Sequence, residues 1–424
     1  MTALPLGLLP DTATVAGDGS LAIGGCSVAE LAAEHGTPLF VYDEAHLRAR
    51  CAEAVAAFGL GQAVYATKAF LCAAMARLAH EEGMQLDVAS GGELFVALRA
   101  GVPASSLVMH GNNKSVAELR MAIGAGVRHL VVDSFDELDR LDALHAEGLA
   151  APSVLARITP GVHAHTHEFI ATGQDDSKFG FNLGNGDAQR AVDRMRRSPS
   201  VRLAGVHCHI GSNVFEASSF AKAAEVMAGF AIPLDLPELV LGGGLGVAYV
   251  EGEEAPTITQ WANVLLDACQ ALGVRSRVSV EPGRSIVAAA AITVYTVGTI
   301  KDIPGVRTYV SVDGGMSDNP RPVLYGSGYE AFAPRAVGAA RPRRARVVGK
   351  HCESGDVLLF DARLPADLAV GDLLATPVTG AYGHSMASNY NKLTRPAVVF
   401  VGDGESRLVV RRETYEDLLH CEVL

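Results

Sequence analysis

Along the first two thirds of the chain, short apolar runs alternate with longer amphipathic stretches. The runs are Ala63–Ala66, Gln85–Ala89, Leu107–His110, His129–Val132, Ser153–Ile158, Leu203–His207, Leu239–Leu241 and Arg277–Val280, each of strand length. Between them, stretches such as Leu71–Glu82, Glu93–Ala100, Val116–Gly124, Phe135–Glu147 and Ile258–Leu272 are rich in Ala, Leu and Glu. Their apolar residues recur every three to four positions, which predicts helices. Strand–helix alternation of this kind implies parallel strands joined by crossover helices. Eight such units over roughly 220 residues predict a (β/α)8 barrel of the TIM type. An open doubly wound sheet is the alternative that pattern alone leaves standing.

Past Arg284 the texture changes. Val287–Val297, Arg307–Val312, Ala345–Lys350, Val357–Phe360, Leu373–Thr376 and Ala397–Val401 are β-type runs separated by Gly, Pro and Asp turns, and they predict a C-terminal all-β domain. Short apolar runs in the first 37 residues are expected to add a strand to it. The expected division is therefore a barrel over residues 38–286 and a β-sandwich or β-barrel domain over 1–37 and 287–424.

In a parallel barrel, chemistry sits on the loops after the C-terminal strand ends, and here every strand end carries polar or glycine residues. Lys68 follows the first strand; Asp87 and Ser90 end the second. His110, Asn112 and Lys114 follow the third, Asp133 the fourth and Arg157 the fifth. His207, His209 and Ser212 follow the sixth, Gly242–Gly244 the seventh, and Glu281 with Arg284 the eighth.

Composition narrows the class. A chain of 424 residues, 49% hydrophobic and 19% charged, suits a globular protein of two domains. A formal charge of −12 argues against a nucleic-acid partner. The one basic stretch, Arg341–Arg346, is expected to be a solvated surface segment. Seven scattered cysteines with no Cys-x-x-Cys pair indicate neither a zinc site nor a disulfide framework. Free thiols fit a reducing compartment. With no secretory leader pattern and no apolar run of about 18 residues, no membrane partner and a cytoplasmic location are expected.

Lys68 sits in the apolar setting Val64-Tyr-Ala-Thr-Lys-Ala-Phe70. Alone, it reads as a lysine snorkelling from a strand end; desolvated in a barrel mouth, it would be a neutral amine able to form an imine. Gly242-Gly-Gly-Leu-Gly246 brings backbone amides close to an anion, and its position after the seventh strand suits a single phosphate; a tight turn is the alternative. Glu281 opens Glu281-Pro-Gly-Arg284. It reads as an ion pair on its own, but beside a lysine and a phosphate cradle it suits a protonated pyridine nitrogen. His207 and His209, and the cluster His163, His165 and His167, tempt a metal assignment. No carboxylate or third histidine is evidently placed to complete the His207 and His209 pair, and no metal is expected at either set.

Together these motifs resemble the diaminopimelate decarboxylases, a branch of the barrel class of pyridoxal-phosphate enzymes that also holds ornithine and arginine decarboxylases and alanine racemase. The resemblance runs through Tyr65–Lys68, Asp87–Ser90, His207–Ser212, Gly242–Gly244, Glu281–Arg284, Ser317-Asp-Asn-Pro-Arg-Pro322, Cys352-Glu-Ser-Gly-Asp356 and Gly380-Ala-Tyr382. His167–Gly173 and Asp176–Gly180 match the diaminopimelate branch.

The resemblance implies an alanine-racemase-like architecture with pyridoxal 5'-phosphate bound as a Schiff base on Lys68. Asp87 would lie near Lys68, His209 would stack on the ring, and Glu281 would face its nitrogen. Ser212, Gly243, Gly244 and the turn Glu281, Pro282, Gly283, Arg284 would hold the phosphate, and Tyr382 would touch cofactor and substrate. Cys352 would protonate the α-carbon after CO2 leaves. Cys352 and Glu353 would reach the site of a partner subunit, which implies a homodimer. Glu281, where alanine racemase has an arginine, favours decarboxylation.

Arg321 and Arg284 could pair with a distal carboxylate, Glu353 with a distal ammonium, and Tyr325 could add a hydrogen bond. A surface ion pair is the alternative for Arg321. The implied reaction is meso-2,6-diaminopimelate to L-lysine and CO2. A related decarboxylase acting on another amino acid, or a non-catalytic homologue, are the alternatives. Phe70 and Asn213 depart from the family pattern, which commonly has Asn and Gln there; they bear on fine specificity.

Overall fold

The computed structural model describes residues 3–162, 173, 174 and 176–423. It divides into two compact units, one of Arg50–Gly246 with Ala255–Ser285, the other of Met1–Ala49, Val247–Glu254 and Ile286–Leu424.

The first unit is the barrel. Its strands are Val64–Ala66, Gln85–Val88, Leu107–Met109, His129–Val132, Ser153–Thr159, Arg202–His207, Glu238–Val240 and Arg277–Ser279. Each pairs in parallel with the next in sequence. The ring closes between the eighth and first strands: Val64 N–H donates to the Val280 carbonyl at 2.9 Å, and Ala66 N–H to the Pro282 carbonyl at 3.0 Å. Spatial order equal to sequence order, plus closure, excludes the doubly wound alternative. Inside, Val64, Val108, Val131, Leu155 and Val240 form one buried cluster, the branched side-chain filling such a barrel requires.

Helix starts are written into the sequence. Ser90, Ser115, Ser134 and Thr257 each accept a hydrogen bond at Oγ from the backbone N–H three residues on. At Ser115 and Thr257 the side chains of Glu118 and Gln260 reciprocate, each cap stabilising by about 1 kcal/mol. The helices Gly91–Arg99, Val116–Ala125, Phe135–Ala146 and Ile258–Ala271 follow these caps. They lie where the spacing predicted helices, within a few residues at each end. At the barrel's opposite rim, buried Glu238 gathers Arg128 at 3.1 Å, His129 at 3.3 Å, and Arg277.

The second unit is built on one large mixed sheet. Its strand order is Val357–Leu364, Arg343–Val348, Arg307–Val312, Ala291–Ile303, Leu39–Asp43, Ala397–Gly402, Glu405–Val410, with Leu373–Pro377 also paired to Ala291–Ile303. The all-β expectation holds, with three differences. Leu39–Asp43 lies in the middle of this sheet, antiparallel to Ala291–Val294 and parallel to Ala397–Val401, although the expected boundary at residue 38 gave it to the barrel. All five residues of this strand are buried, and only pairing on both edges satisfies their backbone groups. The first 37 residues instead make a separate three-stranded sheet of Thr14–Val15, Leu21–Ile23 and Cys26–Ser27. The expected strand Val287–Val297 starts later, because Arg284–Val287 is a helical turn.

Arg341 also departs from expectation. It is not solvated: only 1% of it is exposed, and its guanidinium is held by the Glu330 carboxylate at 2.7 Å and by the carbonyls of Ala331 and Ala3. Its partners are distant in sequence or outside the basic run, so composition could not show them. Among the described residues, no helix is long and apolar enough to cross a membrane.

Candidate active site

The first barrel strand ends in a tight turn, Thr67–Ala69, that carries Lys68. The turn is fixed on both sides. Thr67 Oγ1 donates to the Asp87 carbonyl at 2.7 Å, and Tyr65 OH donates to the Phe70 carbonyl at 2.6 Å. Thr67, Ala69 and Phe70 are buried, whereas Lys68 is exposed. The chain's own atoms therefore do not supply the desolvation expected for its amine. The Lys68 charge acts on both Asp87 and His209, so the ammonium lies among the strand-end groups.

At the end of the eighth strand, Glu281 is buried between two imidazoles. His207 Nε2 lies 2.8 Å from one carboxylate oxygen and His110 Nε2 2.9 Å from the other. Burial alone would raise the Glu281 carboxyl, but the two histidines outweigh it and hold it well below the usual carboxylate range. His110 is the proton-holding partner. Burial pulls its imidazole down, yet Asp87, 3.9 Å away, and Glu281 together lift it above its ordinary value. Burial dominates for His207, which is lowered, and for His209, lowered well below its ordinary value with Lys68 and Arg157 adding to the effect. Asp87 is raised, first by burial and further by Glu281.

The loops after the sixth, seventh and eighth strands are knitted together by backbone. Gly243 N–H donates to His209 Nδ1 at 3.1 Å, Val214 N–H to the Gly244 carbonyl at 2.9 Å, and Glu281 N–H to the Gly242 carbonyl at 2.7 Å. Arg284 donates to Ser212 Oγ at 2.9 Å. A Cβ on Gly243 would run into the Glu281 carbonyl, and one on Gly244, at φ +112°, into that of Gly211. Only glycine permits this approach, and the close-packed backbone it leaves, beside the Ser212 hydroxyl and the Arg284 guanidinium, fits a phosphate. A lysine, an anionic carboxylate and that phosphate cradle on one barrel rim fit pyridoxal phosphate.

Residues 44–288 match the family described as pyridoxal-dependent decarboxylase, pyridoxal binding domain. The diaminopimelate decarboxylase of Bacillus subtilis (strain 168) is 48% identical over 96% of this chain and 95% of its own length. That of Mycobacterium bovis is 47% identical, with the same shares covered. Among solved structures, diaminopimelate decarboxylase from M. jannaschii in complex with L-lysine superposes with a TM-score of 0.91 at 33% identity, covering 99% of both chains. The Helicobacter pylori enzyme, also complexed with L-lysine, gives 0.84 at 32% identity over 93% of this chain and 98% of its own.

The chain belongs to the diaminopimelate decarboxylase family.

In this family member the barrel unit carries Asp87 near the end of the second strand, and Lys68, His209, Ser212, Gly243, Gly244, Glu281 and Arg284 on the loops after the first, sixth, seventh and eighth strands. Gly283 packs against the first strand, where an added Cβ would lie 2.9 Å from that of Ala66. Three other strand-end groups are bracing. Lys114 is buried against Glu137 at 2.7 Å, and Arg157 pairs with Asp133 at 3.4 Å while lying 4.2 Å from the Phe179 ring centroid.

Sequence reasoning placed His110 and His207 at strand ends but gave neither a role. It also paired His207 with His209 as the metal candidate and found no carboxylate for them. Instead His110, His207 and Glu281 each offer one atom within 4.8 Å of the others. Strands three, six and eight supply them, and local spacing carries no signal for that convergence. His163, His165 and His167 lie outside the described residues.

The remaining candidates belong to the β unit. Arg321 is buried and Tyr325 half-buried, one turn apart on the helix Arg321–Tyr325. Tyr382 is half-buried at φ +58°. Cys352 and Glu353 are exposed on a loop anchored by Asp356, whose carboxylate accepts from Met316 N–H at 2.7 Å and His351 N–H at 2.9 Å.

Proposed function

We propose that this protein converts meso-2,6-diaminopimelate to L-lysine and CO2 with pyridoxal 5'-phosphate. The observation that carries the proposal is the Glu281 carboxylate, held anionic between His110 and His207 on the rim that also presents Lys68. Bound there, the cofactor supplies an electron sink for the pair left on the α-carbon when CO2 departs. Lys68, presented on the barrel rim, would hold it through its amine. Ser212, Gly243, Gly244, Pro282, Gly283 and Arg284 take its phosphate, Asp87 flanks Lys68, and Tyr382 contacts cofactor and substrate.

With the cofactor bound, anionic Glu281 would keep a proton on the ring nitrogen, which would favour decarboxylation. His209, kept uncharged by burial, can lie against the ring without adding a cation beside that proton. Cys352 Sγ delivers a proton to the α-carbon.

At the far end of the substrate, Arg321 and Arg284 pair with the distal carboxylate, Tyr325 adds a hydrogen bond, and Glu353 takes the distal ammonium. Exposure of Cys352 and Glu353 on their own chain supports a homodimer in which they complete the partner's site. The fit of free thiols to a reducing compartment supports a cytoplasmic enzyme.

The test is incubation of the purified holoenzyme with meso-diaminopimelate, with lysine and CO2 measured, alongside ornithine, arginine and lysine as substrates. Lysine should form from diaminopimelate, and Lys68→Ala should abolish turnover. CO2 from another amino acid with none from diaminopimelate would overturn the substrate; no CO2 from any would overturn the reaction.

A further inference from the structure

Two buried arginines in the β unit meet very different surroundings. Arg341 is neutralised by Glu330 at 2.7 Å. Arg321, 3% exposed, has no acidic partner among the described residues and is enclosed by tyrosines instead. Its guanidinium carbon lies 4.2 Å from the centroid of the Tyr249 ring and 5.4 Å from that of Tyr329. Tyr329 OH takes a hydrogen bond from Nη1, and the two rings meet edge to face with centroids 5.3 Å apart.

The arrangement leaves part of the cation for a ligand. Nη1 is committed to Tyr329, Tyr249 faces the guanidinium carbon, and Nε is buried with no hydrogen-bond partner. The donors left for an incoming carboxylate are those outside Nη1, on the planar guanidinium. A buried cation without a counter-ion is costly, and aromatic faces offset only part of that cost. An incoming carboxylate supplies the rest.

The tyrosines are themselves fixed. Glu330, next to Tyr329, accepts from Glu251 N–H at 3.3 Å through one oxygen and from Arg341 through the other. Tyr249 N–H donates to Glu253 at 2.8 Å. Two segments far apart in sequence, 249–253 and 329–330, are thereby tied into one frame around Arg321.

We propose that Tyr249 and Tyr329 form an aromatic clamp that positions Arg321 for the distal carboxylate, and so help the enzyme select a substrate ending in an anion. The inference rests on the assignment of Arg321 to that carboxylate. Both tyrosines are positioning residues and touch no reacting atom. An amine-terminated amino acid has no anion for these donors, so the clamp favours diaminopimelate over lysine or ornithine.

The test is steady-state kinetics of the holoenzyme with meso-diaminopimelate for Tyr249→Leu, Tyr249→Phe, Tyr329→Phe and Arg321→Lys. Tyr249→Leu should raise KM about tenfold with kcat within about twofold and cofactor absorbance unchanged. Tyr249→Phe keeps the ring face and should restore KM to within about twofold of the parent. Tyr329→Phe, which removes one oxygen, should raise KM about threefold to tenfold, and it keeps the clamp testable if Tyr249→Leu does not fold. An unchanged KM in both Tyr249→Leu and Tyr329→Phe, while Arg321→Lys raises it, overturns the clamp alone. An unchanged KM in Arg321→Lys overturns the carboxylate assignment beneath it. A fall in kcat at constant KM in the tyrosine variants overturns the positioning role.

Discussion

His207 Nε2 stands 2.8 Å from Glu281 Oε2, and both groups are buried. An ionised carboxylate only accepts hydrogen bonds, so the shared proton belongs to the imidazole nitrogen. With burial holding His207 neutral, this contact orients the carboxylate without cancelling its charge. His110, whose affinity for a proton is raised, supplies the cationic half of the bracket. Glu281 is therefore set as an anion before any ring nitrogen meets it.

Replacing Glu281 with Gln keeps the shape and removes the anion. The expected result is a fall in kcat of roughly 10²–10³-fold, the size of losing one preorganised electrostatic contact. Bound cofactor should persist, because the cradle of Gly243, Gly244, Ser212 and Arg284 is untouched. Stopped-assay kinetics with the cofactor absorbance recorded on the same sample checks both halves.

The same cluster sets a pH dependence of stability. The folded-state pKa of His110 is raised above 6.5, so its contribution is fully present below pH 6.5 and is lost as pH rises through the folded value. Glu281 runs the other way: lowered from 4.5, it contributes above that pH and its share is lost on acidification. The stability difference between the parent protein and His110→Gln should therefore shrink as pH rises from about 6 to 9. Thermal melts of both proteins across that range give the measurement, and a difference that grows with pH would contradict the assignment.

What the sequence displayed depended on the range of the interaction. His129–Val132 and Arg307–Val312 were legible to the residue because each is a compact run of β-forming residues bounded by turn or helix-cap residues. Lys68, Glu281 and the glycine cradle were legible because barrel chemistry follows strand ends. Leu39–Asp43 was not, since its strand partners lie about 250 residues or more away and nothing local announces them. Arg341 was misread for the same reason: its run looks solvated until Glu330 and Ala3 are brought to it. The bracket around Glu281 and the tyrosines around Arg321 are likewise products of tertiary convergence.

Lys114 looked like a functional strand-end lysine, but its ammonium is fully committed to Glu137, Gly111 and Val131, each at 2.7 Å. Burial raises the Glu137 carboxyl, and Lys114 opposes the rise. Lys114→Met should cost about 3–5 kcal/mol because it strands Glu137 in the interior. Adding Glu137→Gln removes the stranded charge and keeps an acceptor for the Asp133 N–H, 3.0 Å away. The double variant should therefore be more stable than Lys114→Met alone, a positive coupling readable by denaturant unfolding.

Asp318 carries the opposite liability from Glu281. Only 2% of it is exposed, and burial, reinforced by Asp356 and Asp313, pushes its carboxyl up to about 7 despite the hydrogen bond it accepts from Gly315 N–H. A folded-state pKa above the unfolded 3.8 means the neutral acid is what folding prefers. Its stabilisation is complete below pH 3.8 and disappears as pH rises through 7. Asp318→Asn retains an acceptor for Gly315 and Tyr295 without a titrating proton. The melting temperature of this variant relative to the parent should rise between pH 5 and pH 8, by roughly 2–4 °C or more at the upper end. A relative melting temperature that stays flat or falls over that interval would show that the Asp318 carboxyl does not titrate within it.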